Sequence, residues 1–204
     1  MAIGYLALVL HAHLPFVRHP ESEYVLEEEW LYEAITETYI PLIKVFEGLR
    51  RDGIDFKLTM SMTPPLISML SDRLLQERYD LHLAKLQKLV ETEYEVNNHG
   101  HLRYLADYYV REFAEVRSLW EKYNGNLVKA FKQFVDSNNL EIITCGATHG
   151  YLPLMQMYPQ AVWAQLQVAV EHYQTAFGKL PSGIWLPECA YFEGLERMIA
   201  DVGL

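Results

Sequence analysis

Four short apolar runs, each followed by loop residues and then by a helical pattern, constrain the fold more than any other feature. The runs cover residues 3–10, 55–62, 141–147 and 183–186. Strands that alternate with helices are typical of parallel βα units rather than of hairpins. The sequence therefore predicts an α/β protein built on a parallel sheet or barrel.

The segment between the second and third predicted strands is unusually long. It holds roughly eighty residues, whereas a crossover between parallel strands needs only about a dozen. Helical patterns are predicted there over residues 72–94, 102–123 and 126–137. We interpret the stretch from about 62 to 139 as a helical insertion. An insertion that leaves the carboxyl end of a strand would overhang the end of the sheet where α/β sites form.

Two further helices flank this arrangement. The first is predicted over residues 27–51, with a kink at Pro41, because proline lacks the N–H that a helix interior needs. Its first turn contains Glu27, Glu28 and Glu29, which we expect to form a solvated cluster favoured by the helix dipole. The second helix is predicted to begin at Pro159 and to end at Gly178.

The charge balance narrows the class of ligand. The chain has 17 basic and 27 acidic residues, a formal net charge of −10, and no block rich in lysine and arginine. A nucleic acid or an anionic membrane is therefore not an expected partner, and a neutral or cationic ligand fits better. The N-terminal run resembles a strand rather than a signal peptide, and no run reaches the roughly 20 apolar residues of a membrane span. We expect a cytoplasmic protein, since its two cysteines favour neither a disulfide framework nor a zinc site.

The motif "HAHLP" at the end of the first predicted strand places two imidazoles on one surface. Side chains alternate along a strand, so His11 and His13 point the same way and Ala12 points the other way. The pair could be packed structural histidines, or two ligands of a metal ion. A zinc site needs at least a third ligand, and the sequence contains no HExxH motif to supply one.

Polar residues also follow the other predicted strands. "THGYLP" begins at Thr148 and "PECAY" begins at Pro187. In α/β proteins this end of the sheet builds the site from residues far apart in sequence. Glu188 is the strongest candidate for a functional-site residue, because a carboxylate between Trp185 and Tyr191 is expected to be partly desolvated. The alternative is a strand-end carboxylate that pairs with an arginine or caps the next helix.

The motifs "HAHLPFVRHPE", "THGYLPLM" and "GIWLPECAY", in this order, resemble those of glycoside hydrolase family 57, in particular its α-1,4-glucan branching enzymes. The resemblance spans essentially the whole chain, including the long helical segment. It implies an incomplete seven-stranded parallel (β/α) barrel of the glycoside hydrolase and deacetylase type. Residues 1–204 would then form the N-terminal part of a larger catalytic domain, with the rest of the barrel and a C-terminal helical region missing.

The resemblance also implies a site and a reaction. Glu188 would be the nucleophile of a retaining enzyme and would form a covalent glycosyl-enzyme with glucose. The substrate-binding residues would be His11, His13, His149, Trp185 and Trp30. The implied substrate is an α-glucan such as amylose, glycogen or a maltooligosaccharide, and the family uses no metal and no organic cofactor. The acid/base aspartate would lie beyond position 204, so we expect the chain alone to be nearly inactive.

Three other functions fit the same residues. An α-amylase or a 4-α-glucanotransferase of the same family would differ only in the acceptor of the glycosyl unit. A metal-dependent polysaccharide deacetylase-like hydrolase would bind a metal at His11 and His13. A non-catalytic remnant would bind glucan without cleaving it. The sequence does not indicate an oligomeric state.

Overall fold

The computed structural model describes residues 3–97 and 99–204, which fall into two compact units. The sheet unit comprises the residues up to Phe16 together with Ile54–Met69 and Phe131–Leu204. The helical unit comprises Val17–Gly53 and Leu70–Ala130. The strands are β1 (Val9–Ala12), β2 (Leu58–Met62) and β3 (Leu140–Ile143). The α-helices are α1 (Leu26–Ala34), α2 (Ile40–Arg51), α3 (Pro64–Ser71), α4 (Arg73–Val96), α5 (Gly100–Lys122), α6 (Leu127–Asp136), α7 (Leu152–Met155), α8 (Pro159–Phe177) and α9 (Leu195–Asp201).

The three strands form a parallel sheet in the order β1-β2-β3. In its register, His11 pairs with Ser61, and Ser61 pairs with Ile143 on the other side. The prediction of an α/β protein with a parallel sheet is therefore confirmed. The carboxyl ends of all three strands lie at one edge, which is where the polar motifs begin.

The predicted strand bounds were wrong in detail. The first strand was expected over residues 3–10, but pairing with β2 begins only at Val9, and Ile3, Tyr5 and Leu6 are almost fully exposed. A strand forms only where it has a neighbouring strand to pair with. In the register of the sheet, these residues fall opposite residues 53–56, which precede the first residue of β2. The fourth expected strand, over residues 183–186, is reduced to one parallel bridge between Thr144 and Ile184.

Helix α8 packs against the sheet and closes the core of this unit. The hydroxyl of Tyr173 donates a 2.8 Å hydrogen bond to the backbone carbonyl of Ile142 on β3. The buried core residues of the unit include Met60, Met62, Phe131, Phe134, Leu140, Ile142, Tyr173 and Phe177. Each such side chain stabilises the fold by about 1.5–3 kcal/mol relative to an exposed position. A second apolar cluster joins α7, α8 and α9 through Leu152, Val162, Leu166 and Leu195.

The helical unit is centred on the packing of α4 against α5. The Tyr79 ring of α4 meets the Trp120 ring of α5 edge-on, with centroids 4.5 Å apart. The Tyr79 hydroxyl lies 3.0 Å from the Thr36 hydroxyl, and burial raises the pKa of Tyr79 to about 12. The side chain of Asp72 caps α4 by accepting a hydrogen bond from the backbone N–H of Leu75. Among the described residues, no helix is both long and apolar enough to cross a bilayer.

The helix predicted over residues 27–51 is confirmed, since residues 26–51 are continuously helical, but its pitch changes within it. A five-residue π-helical segment, Ile35–Tyr39, separates α1 from α2. Pro41 lies in the first turn of α2, directly after the π segment, and has no N–H to donate to the preceding turn. The π turn therefore precedes the residue at which the sequence predicted a kink.

The expected solvated cluster at residues 27–29 was wrong for Glu28. Its side chain is only 2% exposed and lies 2.7 and 2.8 Å from Nη1 of Arg78 through its two oxygens. The Tyr32 hydroxyl and the backbone N–H of His19 donate to the same carboxylate. Burial acts to raise the pKa of Glu28, but these donors outweigh it and leave the pKa lowered. Glu28 is therefore a buried anchor of the helical unit.

Gly125→Ala is expected to destabilise the helical unit by about 1–3 kcal/mol. Gly125 has a φ of 72°, and a Cβ there would lie 2.9 Å from Cζ2 of the buried Trp120. Gly178→Ala is the matched control, since Gly178 has a φ of 76° but no atom within 4 Å of its Cβ position. The control should cost only the backbone strain, about 1 kcal/mol. Urea denaturation measures both values, and equal losses would contradict the steric argument.

Candidate active site

Two histidines at the end of β1 begin the site. Nδ1 of His11 lies 2.5 Å from the Ser61 hydroxyl, and Nδ1 of His13 lies 3.2 Å from the Thr63 hydroxyl. Their ring centroids are 6.1 Å apart on one surface, as alternation along the strand predicts. The two hydroxyls from β2 and the residue after it therefore fix the imidazole orientations. The polar residues inside the apolar run "LTMSMT" were a signal for these partners that the sequence analysis did not use.

The loop after β3 adds a third imidazole. The His149 ring stacks on the His13 ring at 3.5 Å between centroids and lies 5.8 Å from the His11 ring. The Trp185 indole stacks on the other neighbour, His11, at 5.2 Å. The structure thus brings together four of the residues that the motifs indicated.

Gln165 of α8 holds this loop in place. Its Oε1 accepts a hydrogen bond from the backbone N–H of Thr148, and its Nε2 donates to the Thr148 hydroxyl at 2.7 Å. The backbone N–H of Ala147 donates to the Gln165 carbonyl. The sequence analysis missed Gln165, because one amide on a helix face carries no distinctive pattern.

Glu188 lies in a short 3-10 turn, Pro187–Cys189, that follows the bridge at Ile184. Its Oε1 is 3.3 Å from Nε2 of His149. The Glu188 side chain is 69% exposed, whereas the His149 side chain is 8% exposed. The expectation of a partly desolvated carboxylate was therefore wrong for this chain, since the turn projects the side chain toward solvent. The imidazole that contacts Glu188 is the buried member of the pair.

Backbone strain is concentrated at this site. His149, Glu188 and Cys189 have φ values of 55°, 56° and 56°, in the left-handed region that L-residues rarely adopt. Each such residue costs of order 1–3 kcal/mol and persists only where the surrounding structure enforces it. Such outliers cluster at functional sites. Here they aim the His149 and Glu188 side chains at each other.

The histidine cluster favours neutral imidazoles. Burial, reinforced by the nearby His149 and His11, lowers the pKa of His13 to about 4, although Glu188 opposes the shift. Burial and His149 also lower the pKa of His11. A neutral imidazole both donates and accepts a hydrogen bond, as a sugar hydroxyl does. The cluster is therefore suited to a neutral, hydroxyl-rich ligand.

The pH dependence of stability should report on His13. Its pKa of about 4 in the folded chain lies below the ordinary value of about 6.5, so the unfolded chain binds the proton first as the pH falls. The stabilisation is complete above about pH 6.5 and is lost progressively toward pH 4. His13→Gln should therefore lose less stability than the wild type between pH 7 and pH 5 in urea denaturation. An equal loss in both proteins would contradict the lowered pKa.

A cleft of about 590 Å³ adjoins the His13 and His149 rings. It is lined mainly by apolar side chains, including Phe16 and Pro65, with Thr148 and Ser68 among its polar members. Its lining also includes His172 of α8, whose Nε2 lies 3.0 Å from the Ser68 hydroxyl. The position of His172 within an otherwise regular helical pattern gave no sequence signal for this contact.

Trp30 lies on α1 in the helical unit and is 47% exposed. Arg18, also in the helical unit, forms a 2.6 Å ion pair with Asp72. Within residues 3–97 and 99–204, no group of three or more His, Cys, Asp or Glu side chains is arranged to hold a metal ion. The role of Trp30 stays a prediction.

The model of Glycosyl hydrolase family 57 matches residues 7–204. The chain belongs to this family. It is 37% identical, over 98% of its length, to a 1,4-alpha-glucan branching enzyme of Thermococcus kodakarensis, and it covers 31% of that protein. It is 28% identical to a probable 1,4-alpha-glucan branching enzyme of Mycobacterium tuberculosis, of which it covers 40%.

Solved structures from this family share the fold. An alpha-amylase from Thermotoga maritima superposes with a TM-score of 0.93 at 46% identity, over 97% of this chain and 38% of that one. The T. kodakarensis branching enzyme, solved in complex with glucose, superposes with a TM-score of 0.92 at 34% identity, over 98% of this chain and 38% of that one. The chain thus spans between about a third and two fifths of the length of its relatives.

Proposed function

We propose that this chain supplies the nucleophile and part of the glucose-binding surface of a retaining enzyme that acts on α-1,4-glucans. The observation that carries the proposal is the contact of the exposed Glu188 carboxylate with His149, which is stacked on His13 beside His11 and Trp185. An exposed carboxylate held by an imidazole can attack an anomeric carbon that lies against the same rings. The attack forms a covalent glycosyl-enzyme and breaks the glycosidic bond, whose departing oxygen takes a proton from a second, acid/base carboxyl group.

The histidines are proposed to bind the sugar rather than a metal. The Nδ1 atoms of His11 and His13 are occupied by the Ser61 and Thr63 hydroxyls, which leaves their Nε2 atoms for substrate hydroxyls. The Trp185 indole offers an apolar face to a sugar ring. Stoichiometric zinc in the purified protein would contradict this part of the proposal and favour the deacetylase-like alternative.

Retaining cleavage needs a second carboxyl group about 5–5.5 Å from the first, as acid and base. We propose that an aspartate in the part of the relatives that this chain does not span fills this role. The same part would complete a seven-stranded barrel around residues 1–204. On this proposal, the 204 residues alone have little activity, because losing one of two acting carboxyls costs several orders of magnitude.

The proposed reaction is branching, in which a glucan 6-hydroxyl accepts the glycosyl unit. Both curated relatives described above carry the name of a branching enzyme. The alternative is an α-amylase, in which water is the acceptor, and it is favoured by the 46% identity to the Thermotoga maritima enzyme. Amylose, glycogen and maltooligosaccharides are the proposed substrates. Two free cysteines, one buried and one exposed, fit a reducing cytoplasm.

The nucleophile can be identified directly. The full-length gene product that contains these 204 residues is incubated with a fluorinated glucosyl donor that traps the glycosyl-enzyme, and the labelled peptide is mapped by mass spectrometry. A label on Glu188 is expected, and a label on any other residue would contradict the assignment. A protein that binds glucan but accepts no label would be the non-catalytic remnant.

Analysis of the glucan products determines whether water or a glucan hydroxyl accepts the glycosyl unit. Amylose is incubated with the same protein, and new α-1,6 linkages and new reducing ends are counted separately. Branching produces α-1,6 linkages without a matching rise in reducing ends. A rise in reducing ends alone would identify an α-amylase, and altered chain lengths without either change would identify a 4-α-glucanotransferase.

A further inference from the structure

The thiol of Cys145 contacts the imidazole that contacts Glu188. Cys145 is the second residue after β3, is fully buried, and places Sγ 3.3 Å from Nδ1 of His149. The other ring nitrogen, Nε2, lies 3.3 Å from Glu188 Oε1. Thiol, imidazole and carboxylate therefore form one continuous chain of contacts across the ring.

The carboxylate constrains the proton on Nε2. An ionised carboxylate only accepts hydrogen bonds, so a favourable contact with Glu188 requires a proton on Nε2. In the neutral imidazole Nδ1 is then an acceptor, and it needs a donor from its own side. The buried thiol is the group in contact with Nδ1.

We propose that Cys145 is a positioning residue whose S–H donates to Nδ1 of His149 and thereby holds this histidine in the tautomer that donates from Nε2 to Glu188. Burial raises the pKa of the Cys145 thiol to about 12, so its hydrogen is retained throughout the working pH range. The same protonation makes the thiol a poor nucleophile, although thiol, imidazole and carboxylate are also the components of a cysteine-dependent site.

The burial of His149 limits which groups, other than the Cys145 thiol, can set its tautomer. One ring face is covered by His13 at 3.5 Å, and the His149 side chain is 8% exposed. Its left-handed φ of 55° and the backbone hydrogen bond from its N–H to Gly146 fix where the ring can lie. Loss of the thiol would therefore leave Nδ1 facing a small buried space rather than bulk water.

The catalytic consequence rests on the proposed function. A histidine that always presents Nε2–H to Glu188 orients one carboxylate oxygen and leaves the other to attack the sugar. Losing a donor of this strength corresponds to roughly tenfold in rate. The effect should fall on kcat rather than on KM, because the thiol does not touch the sugar.

The test compares Cys145→Ala with Cys145→Ser in the full-length gene product. Serine keeps a donor at the same position, and alanine removes it with little change in volume. Histidine labelled with ¹⁵N reports whether each ring nitrogen carries a proton, and His149→Asn identifies the His149 signals by their loss. We expect a protonated Nε2 and an unprotonated Nδ1 in the wild type, with the Nδ1 resonance shifted in Cys145→Ala and restored toward the wild type in Cys145→Ser.

Kinetics on amylose form the second arm. Cys145→Ala should lower kcat about tenfold with KM within about twofold, and Cys145→Ser should recover to within about threefold of the wild type. A proton on Nδ1 in the wild type would overturn the proposal. An Nδ1 resonance that is the same in Cys145→Ala as in the wild type would also overturn it. The resonances report on the tautomer even if Glu188 proves not to be the nucleophile, so the two proposals can fail separately.

Discussion

Glu188→Gln is expected to lower kcat/KM on amylose by more than 100-fold, with the α-1,6 and reducing-end products falling together. Glutamine keeps the shape of the side chain, and its carbonyl oxygen can still accept a hydrogen bond from Nε2 of His149, which lies 3.3 Å from the wild-type carboxylate. It cannot form the covalent glycosyl-enzyme, because its amide is a far weaker nucleophile than a carboxylate. The variant should therefore bind glucan normally and fail in the chemical step.

Glu193→Gln is the matched control for this prediction. Glu193 lies five residues after Glu188, is exposed, and makes the same change in charge when it is substituted. It should keep activity within about threefold of the wild type. A Glu188→Gln protein that retains more than about a hundredth of wild-type activity would rule out the nucleophile role.

Arg78→Met is expected to destabilise the protein by about 3–5 kcal/mol, because it leaves the Glu28 carboxylate buried without its cation. Arg78 Nη1 contacts both Glu28 oxygens and also donates to the His19 carbonyl at 3.2 Å. The same guanidinium contacts the Ser22 carbonyl through Nη2. The Arg78 side chain thus connects α4 to the loop before α1. Urea denaturation should measure the decrease in the free energy of unfolding.

Two further variants separate charge burial from a loss of packing. Arg73→Met removes an exposed pair with Glu77, whose side chains are 90% and 59% exposed, and should cost less than about 0.5 kcal/mol. Adding Glu28→Gln to Arg78→Met removes the uncompensated buried charge. The double variant should be more stable than Arg78→Met alone. A double variant that is less stable would show that the cost comes from packing.

Local pattern was enough to predict the architecture but not its bounds. Three of the four apolar runs overlap the observed parallel strands, whereas the fourth contains only a single bridge. The strand and helix periodicities could be read from the sequence because both depend on local geometry. The exposure of Ile3 and the late start of β1 depend on where β2 begins, which is a non-local fact. The burial of Glu28 likewise depends on Arg78, fifty residues away in the chain.

The sequence predicted those site residues that follow the carboxyl ends of parallel strands, because these ends meet at one edge of the sheet. His11 and His13 follow from alternation, and His149 and Glu188 follow from the shared carboxyl edge of parallel strands. The positive φ values at His149 and Glu188 were not predicted, because neither position holds the glycine that most often adopts such a backbone. The contact of Cys145 with His149 depends on that backbone and was therefore not foreseen.

The left-handed residues at positions 149, 188 and 189 have a consequence for engineering. Glycine at any of them would relieve conformational strain, so a screen that rewards heat resistance alone would favour it. At the first two positions the same change deletes an imidazole or a carboxylate. On the proposed function, laboratory evolution of this protein should therefore select variants by turnover as well as by melting temperature, because selection for stability alone would favour stable but inactive proteins.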